Sequence, residues 1–349
     1  MITDIMAKLR VGIIGLGRIL PRHIEDSILQ LEDFRLTAVC DVVKDVGKKI
    51  AARYSVPFYS NYRKLISDKN VDIVSVCTPN GMHFEMGMAV ANAGKHCIME
   101  KPISINYSQA KKLVAAFEKS RAKLFPVLQV RYNPVIRIVR DYINSGYLGK
   151  ILTAALTIRW TRPQDYFSES DWKGTLKMDG GTLLTQGIHY IDAMQFLLGK
   201  AKIVVAKTGQ VAHDIEVEDI AHGIIDLQNN TRISLEFTVC SYPHNLECSL
   251  TILGEKGTIK IGGVAMNKCE IWEVENTPRP IIPEGITPNI YASGMYVGSC
   301  PNHRSVYENV ASTLIRNQKS FICGRDALES LRIIDGIYLS AKKNREVIL

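Results

Sequence analysis

Apolar residues in the first third of the chain fall in short, nearly continuous runs at residues 9–14, 35–39, 71–77, 96–99 and 123–128. Runs of this length with few polar interruptions predict strands buried on both faces, the kind found in parallel sheets. Between them, residues 18–31, 82–93 and 108–120 repeat apolar positions with helical spacing. The alternation predicts a doubly wound parallel sheet. After Gln129-Val130-Arg131-Tyr132-Asn133-Pro134 the texture changes to a helix over 135–145 and then to long alternating segments such as 152–160 and 231–239. Segments 248–253 and 258–261, joined by Gly254-Glu255-Lys256-Gly257, read as a hairpin. The expected architecture is α/β: a Rossmann-type domain over 1–128 and an α+β domain over 129–349 with a largely antiparallel sheet, open on one face. The helical pattern at 327–343 is expected to pack back on the first domain.

Composition narrows the class rather than changing it. With 349 residues, 46% hydrophobic and 22% charged, the chain has room for two ordinary globular domains. Asp4 stands where a secretory leader needs an apolar core, and Arg18 interrupts the run at 11–20, so cytoplasmic residence without membrane contact is expected. Eight cysteines lack any Cys-x-x-Cys spacing and read as reduced residues, with no metal role. The net charge of +8 is spread along the chain without a nucleic-acid-binding signature, which points to small anionic ligands.

The first run ends in Gly15-Leu16-Gly17 ahead of a helical pattern, a strand, turn and helix in which glycines let backbone approach a pyrophosphate. Leu20 replaces the third small residue of the usual fingerprint. The second strand ends in Asp41, at the interval where a carboxylate accepts ribose hydroxyls, which favours NAD over NADP; an ordinary strand-end turn residue is the other reading. Lys44 nearby leaves room for a 2′-phosphate. Thr78-Pro79-Asn80 follows the strand at 71–77, and Asn80 and His83 stand where a nicotinamide ribose would lie, with helix capping the competing role for His83. Glu100-Lys101-Pro102 closes the next strand, and a proline there forbids its continuation. A lysine at a strand's carboxyl end points to the crevice where ligands bind.

In the second half, Thr185, His189 and Asp192 fall at spacings of four and three, which predicts one shared helical face ahead of an amphipathic run at 193–198. A hydroxyl and a histidine on that face suit one substrate alcohol, with Asp192 orienting the site or capping backbone. No His-x-x-x-His pair supports zinc.

Together these motifs resemble the Gfo/Idh/MocA family of NAD(P)-dependent sugar dehydrogenases over nearly the whole chain. The glycine turn, Thr78-Pro79-Asn80-x-x-His83, Glu100-Lys101-Pro102 and Gly187-x-His189-x-x-Asp192 stand in family order. The resemblance implies Lys101 and His189 as the catalytic pair. Many members carry aspartate where this chain has Thr185. A narrower resemblance, to bacterial UDP-N-acetyl-2-amino-2-deoxyglucuronate 3-dehydrogenases, rests on Arg159-Trp160-Thr161-Arg162-Pro163-Gln164-x-Tyr166, Trp172-Lys173-Gly174-Thr175, the stretch 250–258 and His303-x-x-x-Tyr307-x-Asn309. It implies NAD-dependent oxidation of a nucleotide-sugar C3 hydroxyl on the way to surface-polysaccharide sugars. The alternatives are a UDP-N-acetylglucosamine 3-dehydrogenase, an inositol or free-sugar dehydrogenase, and a non-catalytic NAD-binding regulator.

The expected cofactor set is Gly15, Gly17, Arg18, Ile19, Asp41, Thr78, Asn80, His83, Glu100, Lys101 and Gln129. The expected substrate set is Lys101, Arg131, Arg159, Trp160, Arg162, Tyr166, Thr185, His189, His303 and Tyr307. Guanidinium groups pair with phosphate or carboxylate oxygens, although Arg159 and Arg162 also read as solvated strand residues and Trp160 as core. His189 is expected as general base and Lys101 as the group that stabilises the alkoxide, with the two roles exchangeable. A homo-oligomer through the open sheet face is expected, with no nucleic-acid partner.

Overall fold

The structure, a computed structural model, describes residues 8–291 and 296–349. Six parallel strands build the first sheet: β1 (Leu9–Ile14), β2 (Phe34–Cys40), β3 (Phe58–Tyr59), β4 (Ile73–Val76), β5 (His96–Met99) and β6 (Leu124–Pro126). Their order, β3-β2-β1-β4-β5-β6, reverses direction between β1 and β4, and that switch point opens a crevice at the strand carboxyl ends. Val11, Ile13, Ile73, Val74, Val76, Cys97, Ile98 and Met99 have almost no exposed surface, as expected where helices cover both faces of a sheet.

The crossover helices are α1 (Leu20–Ile24), α2 (Lys44–Tyr54), α3 (Tyr62–Ser67), α4 (His83–Asn92) and α5 (Tyr107–Ser120). The helix expected over 18–31 is much shorter. Ser27 takes non-helical angles (φ −127°, ψ −74°) and donates its hydroxyl to the Arg22 carbonyl at 2.7 Å, which ends the helix and leaves a 3₁₀ turn at Ile28–Gln30. Asn106 caps α5 by accepting from the Gln109 N–H at 2.9 Å.

Helix α6 (Pro134–Asn144) precedes a mixed eight-stranded sheet. Its strands are β7 (Ile151–Arg159), β8 (Ala201–Gly209), β9 (Ile220–Leu227), β10 (Arg232–Thr238), β11 (Glu247–Gly254), β12 (Gly257–Gly262), β13 (Lys268–Val274) and, at the edge beyond β8, β16 (Val347–Ile348). Among the described residues of this sheet only β7 and β10 pair in parallel; the other pairings are antiparallel. A small hairpin joins β14 (Ile290–Tyr291) to β15 (Tyr296–Val297). Short α7 (Gln164–Ser168) follows β7, and α8 (Ile188–Leu198) contacts the inner face of β7. The amphipathic run expected at 193–198 is buried at every position but Gln195's neighbour Phe196, which is half-buried. A helix that is apolar all round belongs in a core.

Two helices close the chain, α9 (His303–Leu314) and α10 (Gly324–Lys343). Residues 129–349 do not cluster as one body. The first compact unit joins the segment ending at Val127 to His303–Leu328, and the second joins Leu128–Asn302 to Glu329–Leu349. Aromatic packing explains the return of α9, since the Tyr307 ring sits edge-on to Phe34 at 5.2 Å and to His23 at 5.8 Å. The chain end stays with the second unit through β16, whose Val347 and Ile348 pair with Val204 and Ile203 of β8.

Candidate active site

In the first unit the candidate residues collect at the carboxyl ends of β1, β2, β4 and β5. Gly15 has φ +90°, and an added Cβ would stand 2.6 Å from the Cys77 carbonyl oxygen, so only glycine lets the turn pass the end of β4. Gly17 is exposed with nothing within 4 Å of an added Cβ. The open space over Gly17 is what a closely approaching phosphate requires, so the turn fits a dinucleotide. Arg18 is exposed and Ile19 half-buried in the same turn. Asp41 holds the turn from β2, accepting the Leu16 N–H through Oδ2 and the Val43 N–H through Oδ1, both at 2.8 Å. The Asp41 carboxylate is thus fixed by two backbone donors beside the glycine turn.

His83 is fully buried at the start of α4, with Nδ1 2.6 Å from the Pro102 carbonyl oxygen and Nε2 2.7 Å from that of Thr78. The ring therefore bridges the loop ends of β4 and β5. Burial pushes its pKa down, and the two carbonyl contacts only partly oppose this. Thr78 is half-buried and turns its hydroxyl to Met86 Sδ, while Asn80 is buried. The Lys101–Pro102 peptide is cis.

Glu100, at the end of β5, is buried and does not stand alone. Its Oε1 lies 3.0 Å from His23 Nε2 and 3.1 Å from His303 Nε2, and its Oε2 accepts the Lys101 N–H at 3.2 Å. Burial would raise the carboxyl pKa, yet the two imidazole hydrogen bonds hold it well below the usual range. His23 Nδ1 continues to Tyr307 Oη at 3.0 Å and to Ser75 Oγ at 3.2 Å. His303 and Tyr307, expected in the substrate set, thus lie in a buried cluster around Glu100. His23 was missed altogether.

In the second unit, Gln129 is buried, with Nε2 donating to Ser299 Oγ at 3.0 Å and Oε1 without a partner among the described residues. Arg131 and Asp192 form a buried pair of two hydrogen bonds, at 2.6 and 2.7 Å. Asp192 lies one turn beyond His189 in α8, and both are buried. Thr185 does not extend that helix in phase. It lies in a π-helical turn, Leu183–Gly187, and donates its hydroxyl to the Gly181 carbonyl at 3.1 Å, so the face expected from α-helical spacing is broken between Thr185 and His189. Glu218 holds this turn by accepting from the Leu183 N–H at 2.7 Å and from Tyr338 Oη at 2.9 Å.

Trp160 and Arg162 are buried on the side of β7 that faces α8, the Trp160 ring lying 5.3 Å from that of Tyr190. The Arg162 guanidinium is surrounded by the rings of Trp160, Tyr166 and Tyr296 and donates to Gln186 Oε1 at 2.7 and 3.1 Å; Gln186 in turn donates to Tyr166 Oη at 3.0 Å. Arg159 occupies the opposite face. It pairs with Glu236 at 2.7 Å and Glu247 at 3.2 Å, and Lys260 extends the ladder to Glu247 and Glu270. Side chains alternate along a strand, so Arg159 and Trp160 cannot both face α8.

A parallel sheet in the Rossmann order with a glycine turn open to a phosphate is the architecture of a dinucleotide-binding domain. The family models for "Oxidoreductase family, NAD-binding Rossmann fold" and "Oxidoreductase family, C-terminal alpha/beta domain" match residues 9–127 and 140–349, and the chain belongs to this Gfo/Idh/MocA family. Among curated relatives, myo-inositol 2-dehydrogenase of Thermotoga maritima is 30% identical over 212 residues, 60% of each chain. An inositol 2-dehydrogenase/D-chiro-inositol 3-dehydrogenase of Lactiplantibacillus plantarum is 27% identical over 72% of this chain and 71% of its own. Among solved structures, the WlbA dehydrogenase of Bordetella pertussis, in complex with NADH and UDP-GlcNAcA, is 31% identical with a TM-score of 0.88 over 98% of both chains. The WlbA dehydrogenase of Chromobacterium violaceum, with the same ligands, is 32% identical with a TM-score of 0.90, covering 100% of this chain and 97% of its own. Among the described residues, no helix is long and apolar enough to cross a membrane.

Proposed function

We propose that the chain is a nucleotide-sugar dehydrogenase that oxidises the C3 hydroxyl of UDP-N-acetyl-2-amino-2-deoxyglucuronate to a ketone, in the formation of surface-polysaccharide sugars. The observation that carries this reading is the end-to-end similarity to two WlbA dehydrogenases bound to NADH and UDP-GlcNAcA.

The nicotinamide ring supplies the hydride acceptor when NAD is bound. Neutral His189 takes the hydroxyl proton as the C3 hydrogen leaves with its electron pair, so one C–H and one O–H bond break and a carbonyl forms. Lys101, protonated, donates a hydrogen bond to the developing alkoxide. With Thr185 bonded to backbone, these two residues carry the proton chemistry. Asp41 and the Gly15–Gly17 turn hold the dinucleotide. The open face of the second sheet, where Val205, Ile224, Leu253 and Ile271 are exposed, suits a second copy of the chain.

The inositol dehydrogenases among the curated relatives favour a second reading, a free polyol as substrate. UDP-sugars and polyols offered with NAD separate the two, by nicotinamide absorbance at steady state and by product mass for the loss of two hydrogens. Turnover of the UDP-uronate with inhibition by UDP is expected. Turnover of myo-inositol without UDP inhibition overturns the proposal, and tight NAD binding with no turnover of either favours a non-catalytic regulator. Lys101→Met is expected to bind NADH normally and to lose turnover.

A further inference from the structure

We propose that His23 and His303 are positioning residues for the catalytic strand end: as two imidazole donors on one carboxylate oxygen, they make Glu100 the buried anchor of Lys101 rather than a cofactor or substrate contact. Three segments far apart in sequence meet at this point within the first unit, α1 with His23, the end of β5 with Glu100, and the first residue of α9 with His303. His23 and His303 are 0% and 1% exposed, so neither is open to a substrate.

Glu100 is held ionised by the two hydrogen bonds, and a buried anion is tolerated only when it is paired. Burial works against charge on His23, while Cys77, Tyr307 and Glu100 raise its pKa above the ordinary value. Burial lowers the pKa of His303 and leaves it neutral, donating through Nε2. Its Nδ1 is buried without a partner among the described residues, as suits an unprotonated ring nitrogen. With Oε1 engaged by both imidazoles, Oε2 is left for the backbone N–H of Lys101 at 3.2 Å. The carboxylate thereby ties the lysine's own backbone to α1 and α9. On the far side of the same turn, His83 meets the Pro102 carbonyl oxygen at 2.6 Å. Lys101-Pro102 is therefore held between imidazoles on both flanks.

This inference rests on Lys101 being catalytic, and the test separates the two. In the full-length enzyme assayed with NAD and the UDP-sugar, His303→Leu removes the donor while keeping volume, and His303→Gln retains an N–H toward Glu100. His303→Leu is expected to lower kcat roughly tenfold or more, with KM for NAD and sugar within about twofold, and His303→Gln to recover most of the loss. A rise in the sugar KM at unchanged kcat, or equal loss in both variants, overturns the proposal. A second readout needs no sugar: the pH-dependent rate at which an amine-acylating reagent labels Lys101, located by peptide mass spectrometry. Glu100→Gln and His303→Leu are expected to change that rate alike, and His303→Gln to leave it near wild type. Unchanged labelling in all three overturns the positioning role, whatever the substrate. The three side chains also present donor atoms within 4.8 Å of one another. Stoichiometric zinc in the purified protein, lost on chelation together with activity, would make them metal ligands and overturn the proposal as well.

Discussion

Arg131 and Asp192 form a bidentate ion pair in the core of the second unit, with both side chains 1% exposed and N–O distances of 2.6 and 2.7 Å. Ser330 Oγ donates to Asp192 Oδ1 at 2.8 Å, and the guanidinium lies 4.5 Å from the centre of the Phe196 ring. The pair fixes the 3₁₀ turn Gln129–Tyr132 to the helix that carries His189. Removing one partner strands the other as a buried charge, which costs about 3–5 kcal/mol. Asp192→Ala is therefore expected to lose about that much in urea denaturation. Arg131→Met with Asp192→Leu is expected to recover a large part of it, because no charge is left buried. A double variant no better than the single one would show that this pair contributes more than mutual compensation.

Much of this was legible in sequence, and the parts that were not share a cause. Buried parallel strands announce themselves as continuous apolar runs, and Gly15, Asp41 and Lys101 sit at their ends, so the dinucleotide half could be read directly. The cluster around Glu100 could not, because its partners lie 77 and 203 positions away and a lone histidine near a glycine turn carries no pattern of its own. The π-helical turn at Leu183–Gly187 likewise leaves an apolar sequence that reads as ordinary helix. Arg159 differs, since the signal was present: consecutive strand residues point to opposite faces, so Trp160 in the core places Arg159 outside.

Glu218 predicts a pH dependence of stability. The residue keeps some surface, but its carboxyl is enclosed by Leu183, Thr182 and Tyr338, and burial, with Asp179 adding to it, pushes its pKa up to about 7 despite the hydrogen bonds it accepts. A carboxyl whose folded pKa exceeds its unfolded value of 4.5 stabilises fully below 4.5, and that contribution is lost as pH rises toward about 7. A tenfold difference in proton affinity between folded and unfolded chain corresponds to about 1.4 kcal/mol. The stability of wild type relative to Glu218→Gln is thus expected to fall between pH 4.5 and about 7. A difference that stays constant over that window in denaturant titrations would contradict the enclosed carboxyl.

Gly15 and Gly17 predict defects that differ in stability. A Cβ at Gly15 collides with the Cys77 carbonyl at 2.6 Å and suffers a left-handed backbone, so Gly15→Ala is expected to lower Tm as well as NADH affinity. A Cβ at Gly17 meets nothing among the described residues. Gly17→Ala is therefore expected to keep the wild-type Tm and raise the NADH Kd by roughly tenfold, equivalent to about 1.4 kcal/mol, by intruding on the ligand. Thermal unfolding and a fluorescence titration on both variants check the contrast, and normal NADH affinity in Gly17→Ala would place the dinucleotide elsewhere.

The two arginines of β7 and its exit are expected to part company in kinetics. Arg159 belongs to a half-exposed ladder with Glu236, Glu247 and Lys260, on the sheet face away from α8. Exposed pairs of this kind are worth about 0–1 kcal/mol, so Arg159→Ala is expected to leave kcat/KM within about twofold and stability nearly unchanged. Arg162 is 3% exposed, stacks on Trp160, Tyr166 and Tyr296, and orients Gln186 toward Tyr166. Arg162→Leu removes both the charge and the Gln186 contact, and the expected result is a kcat/KM for the nucleotide-sugar reduced roughly a hundredfold, about 2.7 kcal/mol of transition-state stabilisation, with NADH binding unaffected. Steady-state kinetics on the two variants decide it. A larger loss in Arg159→Ala than in Arg162→Leu would mean that the substrate lies against the open sheet face.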